Sequence, residues 1–150
     1  MTVGELCVRQ VAVVRKDETV VEAARCMREH HVGCVIVVEE RNGDYFPIGI
    51  LTDRDIVVGI VAKDTDHLPR LTVGDVMTSD LTTAREAESV GEVFKRMRGR
   101  GIRRVPVVND RGALQGILSV DDLIEYLCEE LTDLAKLIAH QQRREKEERV

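Results

Sequence analysis

At 150 residues and 43% hydrophobic composition, the chain suits one compact domain or two small units sharing a core. It has no Trp and only two Tyr and two Phe, so that core must be aliphatic. A net charge of -5 and a pI near 5.4 exclude a general nucleic-acid binder, and no apolar run approaches the roughly 18 residues that cross a bilayer.

The first ten residues lack the charged-then-apolar layout of a signal peptide. Cys7, Cys26, Cys34 and Cys128 form no C-x-x-C pair. Together these features predict a reduced, cytoplasmic protein with neither nucleic acid nor membrane as a partner. A small anionic ligand stays possible, because two or three arginines can form a site in an acidic chain.

In chain order, residues 11–14 (VAVV) read as a short strand. Thr19 then precedes Val20, Ala23, Ala24 and Met27 at helical spacing, with its hydroxyl placed to cap the first turn. Gly33 stands near the helix end, where a left-handed residue is commonly needed. The run CVIVVEE, the turn RNGD and the run PIGIL predict a hairpin of buried strands, and another helix follows it.

The same order then recurs. Residues 81–84 (LTTA) read as a strand, Ser89 as a cap, and Val90, Val93, Phe94 and Met97 as an apolar helix face. Gly101, the run VPVVND, the turn DRG and the run LQGIL complete the second set. Residues 19–38 match residues 89–108 at seven of twenty positions, where chance gives roughly one or two. Three extra residues in the first hairpin shorten the offset from 70 to 67, and "GILTDRD" (49–55) then aligns with "GILSVDD" (116–122). Each unit is about 60 residues of β-α-β-β-α, too small to bury much surface alone. Two units packed by a pseudo-twofold axis cover each other and create two related clefts, where small ligands bind.

The tandem units, the two G-h-h-[TS]-x-x-D endings, and the segments MREHHVG, RRVPVV and GDVMT together resemble a cystathionine-β-synthase (CBS) domain pair, or Bateman module. The resemblance covers roughly residues 3–128 of what looks like a stand-alone CBS-pair protein. It implies an α+β fold: residues 1–70 hold the first repeat with its N-terminal segment and linker, and residues 71–128 the second. Residues 129–150 form a C-terminal helical extension and charged tail.

The resemblance also implies a regulatory module rather than an enzyme. Its ligand would be an adenosine nucleotide such as AMP, ADP or ATP, it needs no cofactor, and it signals to a protein partner that the sequence does not name. One site would use Thr52 and Asp55 with Ile102, Arg103 and Arg104, plus backbone near Met77 and Thr82. The other would use Ser119 and Asp122 with Val32, Gly33 and Cys34, plus backbone near Cys7 and Ala12.

The T-x-x-D and S-x-x-D spacings also describe a helix capping box. The two roles are compatible, because a carboxylate can accept from two adjacent ribose hydroxyls while its helix start offers N–H groups to phosphate. Arg103, Arg104 and Arg54 surround the first site, whereas Gly33, Cys34 and Asp121 occupy the matching positions of the second. Phosphorylated nucleotide is therefore expected to bind more tightly at the Thr52/Asp55 site.

Two further readings stand beside this one. Cys26 and His30 lie at i, i+4, with His31, Cys34 and Cys7 as further donors for a metal- or redox-responsive site. An assembly scaffold with empty clefts is the other alternative. At the C-terminus, Leu127, Leu131, Leu134 and Ile138 follow a 4-3-4 spacing that predicts a homodimer through paired helices, with the last ten or so residues a frayed, solvated tail.

Overall fold

The computed structural model describes residues 1–149. Two three-stranded sheets, each built by one repeat, carry the fold. The first is β1 (Val13–Arg15), β2 (Cys34–Arg41) and β3 (Asp44–Thr52) in that order, with β1 parallel to β2 and β2 antiparallel to β3. The second is β4 (Ala84–Arg85), β5 (Arg104–Val108) and β6 (Leu114–Ser119) with the same pairing. Both sheets shift register at matching places, Val37/Val38 and Val107/Val108. The edge strands β1 and β4 begin two or three residues later than the apolar runs that foretell them.

The α-helices are α1 (Val3–Leu6), α2 (Val20–His30), α3 (Asp53–Ile56), α4 (Val73–Val76), α5 (Val90–Arg100) and α6 (Val120–Glu148). On α2 the residues Val20, Ala23 and Met27 are buried, as a 3.6-residue period requires. The Thr19 hydroxyl accepts from Glu22 N–H, and the Glu22 carboxylate accepts from Thr19 N–H. Ser89 makes no such side-chain bond at α5, and Val90 N–H donates instead to the carbonyl of Met1. Gly101 ends α5 in the left-handed region, whereas His31, not Gly33, takes that conformation after α2. Gly33 is small for another reason: a Cβ there would lie 3.0 Å from the Asp53 carboxylate.

The hairpin turns follow their residues. Asn42 and Gly43 both have positive φ, the two-residue turn whose twist suits paired strands. In the second hairpin the Asn109 side-chain oxygen accepts from Arg111 and Ala113 N–H groups.

Packing crosses the boundary between the repeats. The N-terminal Val3 is buried in the core of the second repeat, with Val93, Met97, Val105 and Leu118. Val73, near the start of the second unit, is buried in the core of the first, with Val20, Met27, Val35 and Leu51. The backbone repeats the exchange: Val3 and Gly4 donate to Glu88 and Glu86, while Val73 and Gly74 donate to Glu18 and Lys16. Each small core thus gains an apolar residue that its own repeat lacks.

Helix α6 departs from the rest. Leu123 is its one buried residue, while Leu127, Leu131, Leu134 and Ile138 are exposed. The chain stays helical through Glu148 rather than fraying over its last ten residues, in a segment rich in helix-favouring Glu, Arg, Lys and Gln. One i, i+4 ion pair, Arg144 to Glu148 at 3.6 Å, lies within it. Among the described residues, no helix is long and apolar enough to cross a membrane.

Candidate functional site

The repeated G-h-h-[TS]-x-x-D stretch ends the last strand of each sheet and starts a helix. Thr52 caps α3: Asp55 N–H donates to its hydroxyl at 3.1 Å, and Asp55 Oδ2 accepts from Thr52 N–H at 2.9 Å. Ser119 does the same for α6, with distances of 3.2 and 2.9 Å, and its hydroxyl also donates to Asp122 Oδ2 at 2.8 Å. The carboxylates are therefore fixed by the helix starts through Oδ2. Among the described residues, Oδ1 of each carries no hydrogen bond.

The glycine that opens each stretch has a separate cause. After α1 the chain crosses β6, and Val8 and Ile117 exchange both backbone hydrogen bonds at 2.9 Å. A Cβ on Gly116 would lie 2.7 Å from the Val8 carbonyl oxygen and 2.9 Å from Cys7 Sγ. Thr78 and Ile50 repeat the crossing at 3.0 Å over Gly49, beneath Met77. These crossings set the floors of two hollows between the repeats.

One hollow, of about 280 Å³, brings Ala12, Val32, Gly33 and Cys34 of the first repeat together with Ser119 and Asp122 of the second. Its sequence-expected members come together except Cys7, which packs against the second core beneath Gly116. Val8, Gln10, Val11, Ile36 and Ile117 also line the hollow. Their signal was the repeat itself: each has a counterpart, at offset 70 or 67, around the other hollow.

That second hollow, of about 270 Å³, is lined by Thr82, Ile102 and Arg104, with Ile50, Thr78, Leu81 and Pro106. Thr52, Asp55, Met77 and Arg103 are not on its wall. Asp55 borders a different hollow, of about 380 Å³, with Arg54 and Val76. Met77 packs against the first core.

The cations are placed differently from the sequence expectation. Arg103 points to solvent and lies 3.4 Å from Asp121. Arg104 lines both hollows, so the Ser119/Asp122 side is not free of positive charge. Arg100 joins Arg104 at the Thr82 hollow, 3.9 Å from Asp80. Burial pushes the Cys34 thiol up, and the nearby Arg104 charge partly opposes that shift.

The first repeat's Cys and His residues do not assemble into a metal site. Cys26 Sγ is 3.7 Å from His30 Nδ1, and the same ring nitrogen is 2.9 Å from the Cys26 carbonyl oxygen. No group of three His, Cys, Asp or Glu donors comes together among the described residues. A zinc site needs about four ligands, so two on one helix turn do not supply it.

Comparison with known proteins agrees with this architecture. The family model described as CBS domain matches residues 3–62 and 73–129. An uncharacterized protein of Methanopyrus kandleri, MK0525, is 38% identical over 125 residues, covering 83% of this chain and 62% of that protein. The CBS domain pair of protein MJ0100, solved with 5'-methylthioadenosine and S-adenosyl-L-methionine, superposes with a TM-score of 0.74 at 25% identity, covering 87% of this chain and 98% of the other. The CBS domain protein PAE2072 from Pyrobaculum aerophilum, complexed with AMP, gives a TM-score of 0.72 at 26% identity, covering 82% and 90%. Two interlocked β-α-β-β-α repeats, with paired clefts at their junction, place this chain in the CBS domain family.

Proposed function

We propose that this chain is a regulatory module that binds an adenosine nucleotide in the clefts between its repeats. The observation that carries the reading is the composition of the 280 Å³ cavity. One repeat gives it an apolar wall of Val8, Ala12, Val32 and Ile36, against which a base can lie. Val8 and Ala12 precede the first repeat's sheet, and Val32 and Ile36 belong to its second-strand region. The other repeat gives it a carboxylate with an unused oxygen, suited to ribose hydroxyls, and a guanidinium, suited to phosphate. The adenosine-type ligands of MJ0100 and PAE2072 support the same class. The pseudo-equivalent cleft lined by Thr82, Ile102 and Arg104 is the second site, without Thr52 and Asp55 on its wall.

Ligand can act as a signal only by favouring one packing of the repeats over another. The exchanged segments α1 and α4 join the two cores and offer a route for that change. The exposed Leu127, Leu131, Leu134 and Ile138 support a homodimer through α6, which would pass the change to a second copy and to a protein partner. Four unpaired cysteines suit a reducing compartment such as the cytoplasm.

Thermal unfolding with AMP, ADP, ATP, S-adenosylmethionine, GMP and zinc tests the reading. An adenosine ligand at 100 times its Kd raises stability by about 2.7 kcal/mol, while GMP and zinc leave it unchanged. A panel with no adenosine-dependent shift refutes it.

A further inference from the structure

We infer that Arg104 is shared between the two clefts, so that a phosphorylated nucleotide in one withdraws its guanidinium from the other. This rests on the nucleotide reading and adds antagonism between the sites. Arg104 is the first residue of β5, half-buried, and it stands on the walls of both hollows. Its counterpart in the first repeat is Cys34, at offset 70. The small thiol on one side leaves room for the arginine on the other to serve both cavities, which a symmetric pair of arginines would crowd.

The neighbouring cations are committed elsewhere. Arg103 is held near Asp121, and Arg96 near Glu88 with bonds of 2.9 and 3.1 Å. Arg104 has no salt bridge and no side-chain hydrogen bond among the described residues. Among the described residues it is the sole Lys or Arg on the wall of the Ser119/Asp122 hollow, whereas Arg100 also lines the Thr82 hollow. One side chain adopts one rotamer at a time, so a guanidinium drawn to a phosphate in one hollow is turned from the other. Two AMP molecules therefore compete for it, and the weakening is reciprocal by thermodynamic necessity. Adenosine has no phosphate and does not enter the competition.

Calorimetric titration of AMP and of adenosine tests this on the full chain and on two single-cleft variants. Ala12→Phe fills the Ser119 hollow, and Thr82→Phe fills the other; Asp122→Ala and Leu81→Trp replace them if either filled variant fails to fold. Adding Arg104→Gln to each single-cleft variant is expected to weaken AMP about tenfold or more in both, and adenosine in neither. In the unmodified chain, the product of the two stepwise AMP affinities should fall about tenfold below the product of the single-cleft values. Weakening confined to one cleft, equal loss for AMP and adenosine, or products that agree overturn the shared arginine while leaving nucleotide binding intact. An unmodified chain that binds neither ligand overturns the proposed function as well.

Discussion

Replacing Asp122 by alanine separates the cap from the ligand contact at one residue. Asp122 Oδ2 accepts from Ser119 N–H at 2.9 Å and from the Ser119 hydroxyl at 2.8 Å, and both bonds vanish in the variant. Breaking such a box costs about 1 kcal/mol. In a chain of this length, where unfolding entropy is about 0.3 kcal/mol/K, that lowers Tm by about 3 °C. The ligand effect is larger. Charged hydrogen bonds to ribose contribute about 1.5 to 3 kcal/mol, so affinity at that cleft falls roughly 10- to 100-fold. At 100 times the unmodified Kd, ligand stabilisation from that cleft drops from about 2.7 kcal/mol to about 1 kcal/mol. Thr72→Ala is the control. It opens a comparable box at α4, where Asp75 N–H donates to the Thr72 hydroxyl at 3.3 Å, outside both clefts. It should lower Tm without changing the ligand response. Differential scanning fluorimetry with adenosine and AMP gives both readouts. If Asp122→Ala loses its 3 °C yet keeps the full ligand shift at saturation and at limiting concentration, the carboxylate is a cap alone.

Three other outcomes follow from the packing, the titratable groups and the helix face. Val3→Ala and Val73→Ala each remove two buried methyl groups from the opposite repeat's core, and each should cost about 2 kcal/mol in urea unfolding; a neutral Val3→Ala would mean that α1 does not dock. The Arg96 guanidinium beside Glu88 holds its carboxyl below the ordinary value of 4.5. The stability this adds is present above pH 4.5 and is lost as pH falls through the lowered value, so Glu88→Gln should flatten the acid limb of a Tm-versus-pH curve; an unchanged limb counts against the pair. Leu131→Glu with Leu134→Glu places charge on side chains 66% and 56% exposed in the single chain and should convert a dimer to a monomer in sedimentation; an unmodified chain that sediments as a monomer at micromolar concentration removes the α6 pairing.

Local chemistry wrote much of the fold into the sequence. Thr19, Thr52 and Ser119 announced their helices because a capping hydroxyl acts on N–H groups only three residues away. Asn42-Gly43 announced its turn because few other residues accept positive φ at both positions. The duplication announced two equivalent units, and through them a junction with two clefts. Local rules also misplaced details. His31 took the left-handed position given to Gly33, whose smallness instead makes room for Asp53, and Ser89 was left without a cap bond.

What crosses between the repeats could not be read locally. Val3 serves the core of residues more than 80 positions away, and the glycines at 49 and 116 are required by segments that pass over them from outside their strands. Nor does the identity of an arginine fix its direction. Adjacent Arg103 and Arg104 look interchangeable in the sequence, yet Arg103, just before β5, lies in solvent near Asp121, while Arg104, the first residue of that strand, stands between two cavities. Sequence determined the elements and their twofold recurrence, because those depend on contacts within a few residues. Only the tertiary structure decided which side chains face the shared hollows, because that depends on how two separately encoded surfaces meet.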